Sequence, residues 1–247
     1  MKKDLVKNVN KNIDEDMLEV INKDILKDTD KNVSVISEGG IINIKTVITK
    51  GIYVVTNRKL IKEGTLQEIA ESSVKGGATA IILREKDLET CCLKELAIKV
   101  KEKLSNSNAL FIINGNYKVA KAIGADGVHL SFNDFMNFEE KFDGLLGVSV
   151  HSLEEAKLAE ENGASYLIAG HIFETSCKEG FKGRGLDFLS KICESIRIPV
   201  IAIGGISENN IRDTMKCGAY GAAVMSSVMK SKDPENYICS LKHKLDL

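Results

Sequence analysis

From Gly51 onward the sequence alternates short β-branched apolar runs with longer amphipathic stretches, eight times in succession. The strand candidates are GIYVVTN (51–57), AIILRE (80–85), LFIIN (110–114), GVHLS (127–131), LLGVSVH (145–151), YLIAGHIF (166–173), PVIAIGGI (199–206) and GAAVMSS (221–227). Near-continuous apolar runs suit parallel strands that helices cover on one side and a packed interior covers on the other. Between them, LQEIAESSVKGG, CCLKELAIKVKEKL, YKVAKAIG, SLEEAKLAEENG, LDFLSKICESI, NNIRDTMKCG and ENYICSLKHKL place apolar residues at helical spacing; FNDFMNFEEKF does so least regularly. Gly77-Ala78, Gly124-Ala125, Gly163-Ala164 and Gly218-Ala219 fall at the helix-to-strand returns, where a left-handed glycine can end a helix. The repetition predicts an α/β fold of the (β/α)8 TIM-barrel type. An open doubly wound sheet would put a glycine-rich fingerprint after its first strand, where TNRKL stands instead.

Residues 1–46 lie outside that alternation and form a short N-terminal extension, with the barrel assigned to 47–247. Within the extension, MLEVINKDIL has helical spacing, and VSVISEGGIINIKT reads as two short strands around Gly39-Gly40. No chemistry is assigned to it. With 43% hydrophobic and 28% charged residues, a chain of 247 residues can bury a substantial core without disulfides or metals. A net charge of −1 gives no bulk attraction to nucleic acid or to an anionic membrane. The apolar runs are too short to cross a bilayer, and MKKDLVKNVNKNIDEDM lacks the apolar stretch of a secretory signal. Six cysteines without C-x-x-C or zinc-type spacing point to reduced thiols and a cytoplasmic location. A homo-oligomer is one open option for the assembly.

In a barrel, reactive groups come from the C-terminal ends of the strands. Strand seven ends in Gly204-Gly205, whose bare backbone lets amides approach an anion, and strand eight runs through Met225 into Ser226 and Ser227, which open a helix. Barrels commonly bind phosphate at this corner; the bland alternative is a tight turn beside a capped helix. Arg84 and Lys86 follow strand two and suit a phosphate or carboxylate, or else pair in solvent with Glu85 and Asp87. His151 ends strand five just before Ser152 and Glu155, an S-x-x-E capping box. The positive end of that helix favours a neutral ring, fit for general acid/base work. His129 falls on a strand, where a hydrogen-bonded barrel residue is the plainer role. His171 precedes a long loop with Gly180, Gly183 and Gly185 that has the composition of a lid. No metal constellation stands out; of the scattered aspartates, Asp134 alone lies near a strand mouth. Magnesium held by one carboxylate plus substrate phosphates is conceivable.

VVTNRKL, LREK, FIIN, ADGVHLS, LGVSVHSLEEA, GASYLIAGHIF, IPVIAIGGIS and GAAVMSS together make the stretch from about Gly51 to Pro234 resemble the thiamine phosphate synthase superfamily. The resemblance covers the barrel and none of the extension. It implies one of two chemistries. A synthase joins hydroxymethylpyrimidine pyrophosphate to thiazole phosphate with magnesium; the thiazole tautomerase (TenI-like) branch aromatises a carboxythiazole phosphate by moving a proton, without a metal. Synthases carry Asn-Asp after strand three, where this chain has Asn114-Gly115. After strand six they carry G-P-I-[FY]-x-T-x-T-K, where this chain reads GHIFETSCK from Gly170 to Lys178, as the tautomerase branch does. Asp134 and Lys86, by contrast, match synthase positions.

Carried over onto this chain, the resemblance implies His151 as the tautomerase acid/base and Arg84, Lys86, Asn114, Thr175 and Lys178 as substrate contacts. It gives Gly204, Gly205, Met225 and Ser226 as the phosphate cradle, and a phosphorylated thiazole as the small-molecule partner. The expected activity is therefore that of an isomerase, a thiazole tautomerase without a cofactor. The alternative is a transferase, thiamine phosphate synthase, with magnesium as its cofactor. A non-catalytic regulator of the thiamine pathway is the third reading.

Overall fold

The structure, a computed structural model, describes residues 34–37, 40–43, 47–175, 180 and 182–245. The chain divides into Met1–Lys45 and Thr46–Leu247. In the first unit, β1 (Ser34–Ser37) and β2 (Gly40–Asn43) pair antiparallel, with Ser37 opposite Gly40. Two short strands around Gly39-Gly40 were expected there; MLEVINKDIL lies outside the described residues.

In the second unit all eight expected strands form: β3 (Gly51–Val55), β4 (Ala80–Leu83), β5 (Leu110–Asn114), β6 (Gly127–Ser131), β7 (Leu145–Val150), β8 (Tyr166–Gly170), β9 (Val200–Ile203) and β10 (Gly221–Val224). They are parallel, and β10 closes the barrel against β3 in the register Gly221 to Gly51. The fold is a TIM barrel, as the alternation predicts. Nine α-helices are described, besides a short 3-10 turn at Arg58–Leu60: α1 (Leu66–Lys75), α2 (Thr90–Leu104), α3 (Tyr117–Ile123), α4 (Phe132–Met136), α5 (Leu153–Glu161), α6 (Gly185–Ser195), α7 (Ile211–Lys216), α8 (Ser226–Met229) and α9 (Pro234–Leu245). The irregular FNDFMNFEEKF stretch yields only the five-residue α4.

The strands look uniformly apolar because both of their faces are buried. Ile52 and Val54 of β3 pack outward beneath the helices, while Tyr53 and Val55 point into the barrel with Ala80, Ile82, Ile112, Tyr166, Ile168, Ile201 and Ala223. The alternation of period two is present, but hydropathy hides it. Gly77, Gly124, Gly163 and Gly218 take φ values of 96°, 60°, 87° and 90°, so the helix-to-strand returns use glycine for its left-handed backbone. Among the described residues no helix is long and apolar enough to cross a membrane.

Candidate active site

A cavity of about 790 Å³ opens at the C-terminal ends of the strands. Its wall includes Arg84, Lys86, Asn114, His151, Thr175, Gly204, Gly205, Met225 and Ser226. Nine of the ten expected site residues therefore converge on one pocket; Lys178 lies outside the described residues, as does part of the glycine-containing loop behind His171.

At the ends of β9 and β10 the candidate anion corner is tightly packed. Gly204 and Gly205 have φ of 104° and 65°, and a Cβ on either would strike neighbouring atoms: 2.4 Å from His171 Cβ at Gly204, 2.4 Å from the Glu174 carbonyl oxygen at Gly205. Only glycine fits, and the backbone stays bare toward the pocket. The segment after β8 is laid alongside, with the Ile172 N–H donating to Ile203 (2.9 Å) and the Phe173 N–H to Gly204 (3.0 Å). Ser226 begins α8 directly after Met225.

The second polar cluster rests on Glu85, which is 4% exposed. Its carboxylate accepts from the Thr56 hydroxyl (2.7 Å), from the Arg58 backbone N–H (3.0 and 3.1 Å) and from the Arg58 guanidinium (3.0 Å). Arg58 also grips Asp87 through two bonds of 2.7 Å and holds that carboxyl well below the usual range. Glu85 and Asp87 are thus engaged by Arg58, and the solvent pairing considered for Arg84 and Lys86 is not how these acids are used. The Arg84 N–H donates to the Thr56 hydroxyl oxygen (2.9 Å), so the same cluster fixes the strand end that carries Arg84 into the pocket. Across the mouth, the Asn114 side chain and the Gly115 N–H both donate to the His129 carbonyl, at 3.1 and 2.8 Å.

His129 is a hydrogen-bonded barrel residue, 3% exposed. Its Nε2 lies 2.8 Å from the Ser149 hydroxyl, which faces the pocket, and its Nδ1 lies 3.2 Å from the Tyr166 hydroxyl. Burial lowers the ring's pKa to about 3, so it is neutral at physiological pH. His151 stands at the rim, its side chain 43% exposed, with Nδ1 3.6 Å from Glu155. Ser152 caps α5 by accepting from the Glu155 N–H, but the Glu155 carboxylate takes the His151 N–H (2.6 Å) rather than closing the reciprocal box. That bond fixes the backbone of the histidine itself.

Sequence reasoning passed over Tyr166, Arg58 and the structural use of Glu85. The signal for Glu85 was faint: an acid between two cations at a strand mouth, five residues after β4 begins. Tyr166 opens a strand, where its hydroxyl gives no sign that it reaches across to β6.

A closed parallel barrel whose strand ends open into one cavity, lined by Gly204, Gly205 and Ser226 and by Arg84 and Lys86, is a TIM barrel with a candidate active site where that fold carries one. Comparison with known proteins narrows this: residues 52–228 match the family model described as thiamine monophosphate synthase, and the chain belongs to that family. It is similar to thiamine-phosphate synthases from Coprothermobacter proteolyticus (40% identical over 186 residues, 74% of this chain and 88% of the relative) and Pyrococcus furiosus (41% over 185 residues, 74% and 88%). Among solved structures it resembles thiamine phosphate pyrophosphorylase from Pyrococcus furiosus, with a TM-score of 0.69, 36% identity, and coverage of 79% of this chain and 95% of that one.

These relatives overturn the expectation of a thiazole tautomerase, and with it that of an isomerase: they are synthases, and the identity extends over most of the barrel. There is a physical reason why Gly115 misleads. It has φ of 77°, a conformation that favours glycine whatever the chemistry, and a Cβ there would meet nothing within 4 Å. The left-handed backbone is thus a reason for glycine at this position that does not depend on the chemistry.

Proposed function

We propose that this protein is a thiamine phosphate synthase, a transferase that joins hydroxymethylpyrimidine pyrophosphate to thiazole phosphate and releases pyrophosphate. The observation that carries the proposal is identity of about 40% to named thiamine-phosphate synthases over roughly three quarters of the chain. The pocket supports it, because the reaction brings together two phosphorylated substrates and the cavity wall carries two groups suited to anions, the backbone at Gly204, Gly205 and Ser226 and the side chains of Arg84 and Lys86.

In this reading the backbone at Gly204, Gly205, Met225 and Ser226 holds the thiazole phosphate, where amides can approach without side chains between. Arg84, Lys86 and Asn114 hold the pyrophosphate, with Arg84 able to clamp two oxygens at once. Thr175 would contact the same group from the segment after β8. Ser149, oriented by neutral His129, presents its hydroxyl to the ring portion of a substrate between these ends. His151 at the rim holds or relays a proton on its imidazole as the methylene C–O bond breaks and its electron pair leaves on the bridging oxygen with pyrophosphate. The apolar lining from Val55, Ile82, Ile168 and Ala223 excludes water, which protects a cationic pyrimidine methylene from hydrolysis.

Magnesium fits this site in one form. Glu85 is consumed by Thr56 and Arg58, and among the described residues no group of three or more metal-binding side chains is assembled. Asp134, on the pocket wall, accepts from the Ser131 hydroxyl (2.6 Å) and remains exposed. One carboxylate suffices for an ion that keeps its waters and shares the substrate's phosphate oxygens. When bound, magnesium would neutralise charge on the departing pyrophosphate. We place the enzyme in the cytoplasm, consistent with the free thiols of Cys91 and Cys92 at its surface.

The test supplies purified protein with both substrates and magnesium and follows thiamine phosphate and pyrophosphate. Their formation in equal amounts, abolished by EDTA, is expected. Absence of thiamine phosphate under saturating substrate would refute the proposal.

A further inference from the structure

Cys91 and Cys92 are adjacent in the first turn of α2, both exposed, with their sulfurs 3.8 Å apart. We propose that this vicinal pair is a chelating site for trivalent arsenic compounds at the edge of the pocket, independent of the synthase reaction. The residues on either side tie it to that edge. Thr90 accepts from the Asn116 side chain (3.1 Å), and Asn116, Leu88 and Leu93 all line the cavity.

The geometry selects the ligand. A direct disulfide is disfavoured, because consecutive Cα atoms lie about 3.8 Å apart, whereas unstrained disulfides need roughly 4.4–6.8 Å. An atom inserted between the sulfurs relieves that constraint. A structural zinc ion is disfavoured for another reason: it takes four protein ligands, and among the described residues no group of three or more candidate ligands is assembled. An element satisfied by two covalent bonds to sulfur fits a site with two thiols. Protonation points the same way, since Cys91 and the nearby acids Glu95 and Glu89 raise the Cys92 thiol. A neutral Cys92 thiol is a poor ligand for a bare cation but competent for condensation with an arsenic oxide.

With an organoarsenic(III) oxide, two arsenic–sulfur bonds form while the arsenic–oxygen bond and two S–H bonds break. The oxygen leaves with both protons as water, and arsenic stays trivalent throughout. Because the second sulfur is already in place, its bond forms intramolecularly, and the chelate should be on the order of a hundredfold tighter than attachment to one thiol.

Phenylarsine oxide at one equivalent tests this on the full chain. The expected result is one adduct, mapped to the peptide holding residues 91 and 92, that resists excess glutathione and is stripped by 2,3-dimercaptopropanol. Cys91→Ser and Cys92→Ser should each weaken labelling about a hundredfold, while Cys193→Ser and Cys217→Ser leave it unchanged. An adduct elsewhere, or one that survives Cys91→Ser or yields to glutathione, would overturn the proposal. Both serine variants alter exposed positions, and unchanged thermal melting will show that they fold.

Discussion

Gly147 sits so close to the Tyr166 ring that a Cβ on it would lie 2.1 Å from the ring carbon bearing the hydroxyl. The two residues are register partners across β7 and β8, and Gly147 pairs with His129 on its other side. The glycine therefore opens the slot through which Tyr166 reaches His129 over an intervening strand. Gly147→Ala should cost about 1–3 kcal/mol by overpacking, read as a lower midpoint in urea with an unchanged slope. An unshifted midpoint would mean the ring has room to move.

The buried imidazole makes a pH prediction with a definite sign. His129 is lowered from 6.5 to about 3, so the unfolded chain takes up its proton first on acidification. Its contribution to stability is complete above about pH 6.5 and is lost progressively as the pH falls toward about 3. The loss should be on the order of a few kcal/mol. Denaturant titrations between those limits should show a shallower pH dependence in His129→Asn than in the parent. Parallel curves would place the acid-labile group elsewhere.

Thr56 serves two partners, donating to buried Glu85 and accepting from the Arg84 N–H. Thr56→Val keeps the shape and removes both bonds. It should cost about 1–3 kcal/mol of stability, because a buried acceptor and donor lose a partner together. Pyrophosphate affinity should fall as well, since the Arg84 strand end is no longer pinned; calorimetric titration checks this. Lost stability with intact affinity would separate the cluster from the site.

At the anion corner, Gly204→Ala places a Cβ against His171 in a backbone conformation that alanine resists. Ser226→Asp adds a negative charge where the phosphate should lie. Each should raise the dissociation constant for thiazole phosphate more than tenfold, about 1.4 kcal/mol or more. Lys230→Asp, one turn further along and exposed, serves as the control for non-specific charge. Equal binding in all three variants would place the phosphate away from this corner.

The fold was legible because its determinants are local and repeated. Eight apolar runs, the Gly-Ala returns and Gly204-Gly205 each state a backbone requirement in one or two residues. Placing candidate residues at strand ends then needed only the barrel rule, and it brought Arg84, Asn114, His151 and Ser226 into one cavity. The choice of chemistry was less legible. Gly115 suggested the wrong branch because a left-handed turn can explain it without reference to substrate, while His171 lines the same cavity and its residue type alone does not name the reaction.

By itself, then, the order of residues determined the parallel barrel, its closure into eight units and the tight glycine turn at Gly204-Gly205, since each follows from periodicity or from backbone that only glycine tolerates. Tertiary structure alone decided that Arg58 reaches across to Glu85, that Glu155 holds the His151 N–H rather than closing its own cap, and that Tyr166 passes Gly147 to meet His129. Apart from the Glu155 bond, these contacts join residues on different strands or loops. Their existence depends on barrel register and on burial that strips away competing water, neither of which is written in any local stretch of sequence.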